Sequence, residues 1–123
     1  MYCFLCNSLQ DTLYNTSLYS MPEYFIISLH RGRNAEYECK VNFPELLKIK
    51  NFVTFKDGIT VYKLYAVICF YGPSSMSGHF MAYCRNPKNN KWYLYNDSNV
   101  IPGTNENQYY DGIPYILFYK GVK

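Results

Sequence analysis

The sequence predicts an α+β fold that is strongly β-rich, built on a mostly antiparallel sheet of about five or six strands. Three observations carry that expectation. Aromatic residues make up 20% of the 123 residues, with 15 Tyr among them, and such side chains favour pleated, half-buried strands. Apolar runs of strand length are separated by clusters of Gly, Pro, Asn and Ser. No stretch carries the sustained 3.6-residue periodicity of a long amphipathic helix. Hydrophobic residues reach 49% against 17% charged, a composition that forms a core.

The elements follow in order. Asn7 to Tyr19 is polar and reads as an irregular stretch with at most one helical turn. After Pro22, the run Tyr24-Phe25-Ile26-Ile27-Ser28-Leu29 reads as a buried strand. Arg31-Gly32-Arg33-Asn34 is a basic turn, and Glu36 to Phe43 alternates as a second strand. Pro44-Glu45-Leu46-Leu47 reads as a short helical turn with Pro at its start. Asp57-Gly58 is a tight-turn signal before a strand from Val61 to Tyr71. Gly72 to Gly78 reads as a mobile loop of small residues. His79 to Arg85 is a strand, Asn86 to Asn90 a turn, and Lys91 to Asp97 the returning strand. Pro102 to Asp111 is a loop and Ile113 to Tyr119 the last strand.

Composition excludes several function classes. The 12 basic residues against 9 acidic ones leave +3, scattered along the chain, which argues against a phosphate-clamping nucleic-acid binder. No apolar run approaches the roughly 20 residues of a membrane span, and the N-terminus lacks the pattern of a signal peptide. The five cysteines, Cys3, Cys6, Cys39, Cys69 and Cys84, are odd in number and irregular in spacing. They make a poor disulfide framework and point to a reducing, intracellular setting. Cys3 and Cys6 form a CxxC pair suited to a metal knuckle. A knuckle directly after Met1 gives the expectation that the chain starts in the middle of something larger.

Of the two histidines, His30 reads as a partly buried strand residue. His79 opens a strand after a Gly-flanked loop. If Pro87 to Asn90 form the turn, Asn86 pairs with Lys91, and counting along both strands sets His79 opposite Ser98. Asn96 then shares the face of His79, and Asp97 points to the other face unless a bulge re-aims it. An imidazole beside an Asn-Asp pair is the base and orienter of a nucleophilic triad. The nucleophile does not appear. Cys84 is five residues along the strand, roughly 16 Å away. Cys69 lies between Ile68 and Phe70 and reads as a buried, inert thiol. Ser74, Ser75 and Ser77 sit in a loop without oxyanion chemistry around them.

Gly78-His79-Phe80-Met81-Ala82-Tyr83-Cys84, with Lys91-Trp92-Tyr93-Leu94-Tyr95-Asn96-Asp97-Ser98-Asn99-Val100, resembles the histidine box of the ubiquitin-specific proteases, papain-like cysteine deubiquitinases. Cys3-x-x-Cys6 resembles one knuckle of that family's zinc ribbon. The Met21–Gly32, Tyr62–Gly72 and Ile113–Tyr119 segments resemble its other strands, in order. The resemblance implies that residues 1–123 are a partial catalytic domain, the C-terminal palm and fingers half of the fold, with the cysteine-box half absent. It implies His79 as general base, Asn96 as third triad member and Asp97 as the adjacent acid. It implies substrate contacts at Gly72, Ser77, Gly78 and Tyr95, and Cys3 and Cys6 as half of a zinc site. Phe70, nine residues before His79, stands where many members carry a histidine.

The expected chemistry is thiol-dependent hydrolysis of (iso)peptide bonds at the ubiquitin C-terminus, with this chain inactive alone. The alternative is a catalytically dead ubiquitin-binding module. No cofactor is expected for catalysis, and structural zinc only if a second CxxC is supplied. The expected partners are ubiquitin or ubiquitinated proteins, with no nucleic acid and no membrane.

Overall fold

Val61 to Tyr71 is the most continuous β-branched and aromatic run in the chain, and it becomes the centre of the sheet. The computed structural model describes residues 1–31, 38–55, 57–74, 76–103 and 112–123. Nine strands are assigned among them: β1 (Tyr2–Cys3), β2 (Ser8–Leu9), β3 (Tyr24–Ser28), β4 (Leu46–Lys48), β5 (Val61–Ser74), β6 (Ser77–Arg85), β7 (Trp92–Asn96), β8 (Asn99–Pro102) and β9 (Ile113–Gly121). The first two form a small hairpin. The other seven form one sheet in the order β3-β9-β5-β6-β7-β8, with β4 pairing to β5 off that path, and every pairing is antiparallel.

The core lies on one face. Tyr62, Leu64, Val67 and Cys69 of β5 pack with Leu117 and Tyr119 of β9, Tyr83 of β6, Trp92 of β7, and Ile49 and Val53 from the segment before β5. The inward set on β5 changes from even to odd numbers because Tyr65 is an extra residue against β9, between the Leu64↔Tyr119 and Ala66↔Phe118 rungs. That bulge explains why the run reads as continuously apolar. Two buried tyrosines tie loops to the core, Tyr62 donating to the Pro22 carbonyl and Tyr119 to that of Pro44. The opposite face is aromatic and partly open. Phe70, Phe80 and Tyr115 cluster at one end with ring centroids 5.0–5.7 Å apart, and Phe80 stays 52% exposed.

Several expectations are corrected. β3 is not buried but an edge strand with alternating exposure, Phe25 and Ile27 inward and Tyr24 and Ile26 outward. His30 lies past its end and is exposed. Leu46–Lys48 is a strand, not a helical turn, because β5 reaches past the last β6 rung and β4 pairs the stretch left over. Asn99–Pro102 is an edge strand not anticipated from the sequence, and it takes in Pro102, where the loop was expected to begin. Of the strand expected at 36–43, residues 36 and 37 lie outside the described residues and 38–43 form no strand. The basic turn at 32–34, Ser75, and the loop from 104 to 111 also lie outside them.

Candidate active site

The site sits at the open end of the β6–β7 hairpin. At the other end Asn86 and Lys91 close the turn as the spacing predicts. The amide of Asn86 donates to Lys91 O, that of Asn90 to Asn86 O, and the side chains of Asn86 and Asn89 accept from the amides of Lys88 and Lys91. Asn90 adopts φ 58°, a left-handed value that Asn tolerates. The register that follows is the expected one, Arg85↔Trp92, Cys84↔Tyr93, Tyr83↔Leu94 and Ala82↔Tyr95.

The ladder then stops. Asn96 pairs with Asn99 on β8, across a turn at Asp97 and Ser98, so Ser98 never comes opposite His79. Asp97 takes φ 50° in that turn. This places both side chains at the imidazole. Nε2 of His79 lies 2.8 Å from Asn96 Oδ1 and 3.7 Å from Asp97 Oδ2. The expectation that Asp97 faces away unless re-aimed is thus resolved by the left-handed turn, not by a bulge within the strand.

The hydrogen bond fixes the chemistry. Asn96 Oδ1 only accepts, so Nε2 carries the proton and donates it. Nδ1 is then the bare lone pair, and among the described residues it has no hydrogen-bond partner. The His79 side chain is 47% exposed and that of Asp97 80%, so solvent reaches the imidazole, and any ion pair between the two is weak and screened. The arrangement holds one tautomer and offers Nδ1 as a base.

The other candidate residues are placed differently. The expected loop Gly72–Gly78 is mostly strand. Tyr71 pairs with His79, and Ser74 with Ser77, across a register shift. A Cβ on Gly72 would come 2.2 Å from Ser77 O, and one on Gly78 would come 2.3 Å from Tyr71 O and 2.4 Å from the Phe70 ring. Both glycines are therefore demanded by the close approach of β5 and β6 and by the Phe70 ring. Tyr95 alternates to the face opposite Asn96. Tyr71, directly across from His79, was not singled out from the sequence. Its hydroxyl lies 3.0 Å from that of Tyr83. No turn between β5 and β6 could be counted from the sequence, so nothing there flagged it.

Among the described residues, no hydrogen bond joins a thiol to the imidazole. Cys69 is fully buried opposite Met81, and burial pushes its thiol from 9.0 up to about 12. Burial also raises Cys84, which pairs with Ala66. Cys3 receives the amide of Cys6 at 3.5 Å, and this contact, first among several, lowers its thiol. Cys3 and Cys6 lie in the β1–β2 hairpin, and no group of three or more metal-ligating side chains occurs among the described residues. Two thiols do not fit a four-coordinate zinc site.

The chain is similar to known proteins over most of its length. The family model of the ubiquitin carboxyl-terminal hydrolases matches residues 1–119. The chain is 34% identical over 127 residues to ubiquitin carboxyl-terminal hydrolase 12 of Saccharomyces cerevisiae, covering 96% of this chain and 10% of that protein. It is 32% identical over 124 residues to human ubiquitin carboxyl-terminal hydrolase 2, covering 96% of this chain and 20% of that protein. The chain thus spans a fifth or less of these two relatives. Among solved structures, a chain of the yeast SAGA DUB module superposes with a TM-score of 0.83 at 25% identity, covering 100% of this chain and 28% of that one. The SAGA module of Ubp8, Sgf11, Sus1 and Sgf73 bound to ubiquitin aldehyde gives 0.79 at 24% identity, covering 100% and 30%, a likeness of fold. With a family match over nearly its whole length, the chain belongs to the ubiquitin carboxyl-terminal hydrolase family.

Proposed function

We propose that this chain is the histidine-bearing part of a cysteine-type deubiquitinase that hydrolyses (iso)peptide bonds at the ubiquitin C-terminus. The observation that supports it is the 2.8 Å contact of His79 Nε2 with Asn96, with Nδ1 unpartnered among the described residues. Nδ1 takes the proton of a thiol, and the thiolate attacks the carbonyl carbon of the terminal Gly. The imidazolium returns that proton to the departing lysine amine, leaving a thioester. Water then loses a proton to Nδ1, and the resulting hydroxide attacks the thioester carbonyl. The thiol leaves with its proton restored. Asn96 holds the tautomer throughout, and Asp97 faces the charged imidazolium across solvent.

The thiol is supplied by another polypeptide segment, because burial disables Cys69 and Cys84, and Cys3, Cys6 and Cys39 lie on other elements or loops. Alone, the chain binds the ubiquitin tail without cleaving it, the behaviour of a non-catalytic ubiquitin-binding module. Zinc at Cys3 and Cys6 would need two further ligands.

The test combines a fluorogenic ubiquitin substrate with NMR titration of the isolated chain by ubiquitin. No release of fluorophore is expected, together with shifts at His79, Asn96 and the β5–β6 connection. Absence of any shift there would remove the proposal. Cleavage would contradict the missing thiol, and Cys69→Ser would then show whether that residue is the nucleophile.

A further inference from the structure

We infer that the free edge of β3 is a self-complementary interface through which two copies of this chain pair into one continuous sheet. The bonding to β9 sets which backbone groups are left over. Gly121 donates to Glu23 O at 2.7 Å and Leu29 donates to Tyr115 O at 2.8 Å. Along an antiparallel ladder bonded pairs recur at every second residue. Phe25 and Ile27 therefore spend their N–H and C=O groups on Tyr119 and Leu117, and those of Tyr24, Ile26 and Ser28 point away from the sheet. Among the described residues, nothing donates to or accepts from these outward groups.

The three outward residues are spaced symmetrically about Ile26. If a second copy lies antiparallel with the two-fold axis at that residue, Ile26 meets Ile26 and Tyr24 meets Ser28, twice. Every outward group on one edge then faces its complement on the other, giving about six new backbone bonds in three doubly bonded pairs. The side chains agree with this register on both faces. Phe25 of one copy stands beside Ile27 of the other on the core side, next to the apolar groove lined by Leu18, Leu47 and Phe52. On the other side the two Ile26 side chains, each 57% exposed alone, cover one another. The strand carries no Lys, Pro or bulge, the usual protections of an edge. No charge repeats across the axis, because the strand itself is uncharged.

Sedimentation of the whole chain across a concentration series tests this. The mass should rise from 14.5 kDa to about twice that value. Ile26→Lys and Ile26→Glu each place like charges on the axis, and both should stay monomeric with an unchanged circular dichroism spectrum. An equimolar mixture of the two should recover the doubled mass. Phe80→Lys, on the exposed aromatic face, should leave the dimer intact. A wild-type chain that stays monomeric at every concentration overturns the inference and leaves the edge to a strand of another protein. Persistence of the dimer in Ile26→Lys, failure of the mixed variants to recover it, or its loss in Phe80→Lys would each overturn it too.

Discussion

The two ends of the β6–β7 hairpin are built from the same register and do different work. At the turn end, Trp92 is 5% exposed, Arg85 lies over its ring at 5.1 Å, and the Arg85 guanidinium reaches both Glu45 and Asn90. At the other end the ladder is abandoned after Ala82↔Tyr95, and His79 and Asn96 meet in solvent-accessible space. The lesson is that one end supplies stability, while the other leaves an imidazole open to solvent, as the proposed base needs. A base has to be reachable, and a side chain buried well enough to stabilise the sheet is not.

The comparison is most easily broken at the turn end. Trp92→Ala should cost about 3–5 kcal/mol, read as a lowered urea midpoint, because a buried ring leaves a cavity. If that loss fell below the loss from Asn96→Ala, the division of labour would be wrong. Gly78→Ala, at the site end but governed by backbone packing, should cost about 1–3 kcal/mol, since β5, β6 and the Phe70 ring must all move apart. Gly58→Ala, with nothing within 4 Å, should change the melting temperature little and serves as its control.

An alkaline titration sharpens the contrast from the core side. Cys69 stays protonated in the fold up to about 12 and ionises in the unfolded chain near 9.0. Between those values the unfolded state binds fewer protons, so stability falls as pH rises, by about 1.4 kcal/mol per unit for this group. Below 9.0 this group contributes no pH dependence. Denaturant midpoints should hold level from pH 8 to about pH 9 and decline above it, and Cys69→Ala should make the decline shallower by this group's share. A small loss of stability, about 0.5–1.5 kcal/mol, is expected from Asn96→Ala, a half-buried side chain that gives up one solvent-accessible hydrogen bond. Its imidazole nitrogen NMR signals should nevertheless move, from a single Nε2–H tautomer to a mixture. An unchanged tautomer would show that Asn96 does not orient His79.

Much of this site was legible in the sequence because it depends on a local hairpin. Asn86-Pro87-Lys88-Asn89-Asn90 specifies a turn, a turn specifies a register, and the register sets Asn96 on the face of His79. The approach of Asp97 was not legible, since it depends on a positive φ at a non-glycine residue. The glycines at 72 and 78 were expected to let a ligand come close; the neighbouring strand and the Phe70 ring also press on both positions, and no expectation drawn from a loop could have named those neighbours.

The sequence by itself determined the strand-rich class, the β6–β7 register and the pairing of His79 with Asn96, all consequences of apolar runs and a short connection. The tertiary structure alone decided the rest. Leu46–Lys48 becomes a strand only because β5 outruns β6, and Tyr65 is bulged only because β9 pairs with β5 across some fifty residues of chain. β3 becomes an edge only because nothing described pairs with its outer side. Contacts between distant segments are set by which backbone groups remain unpaired once nearer partners are used up, and that accounting exists only in three dimensions.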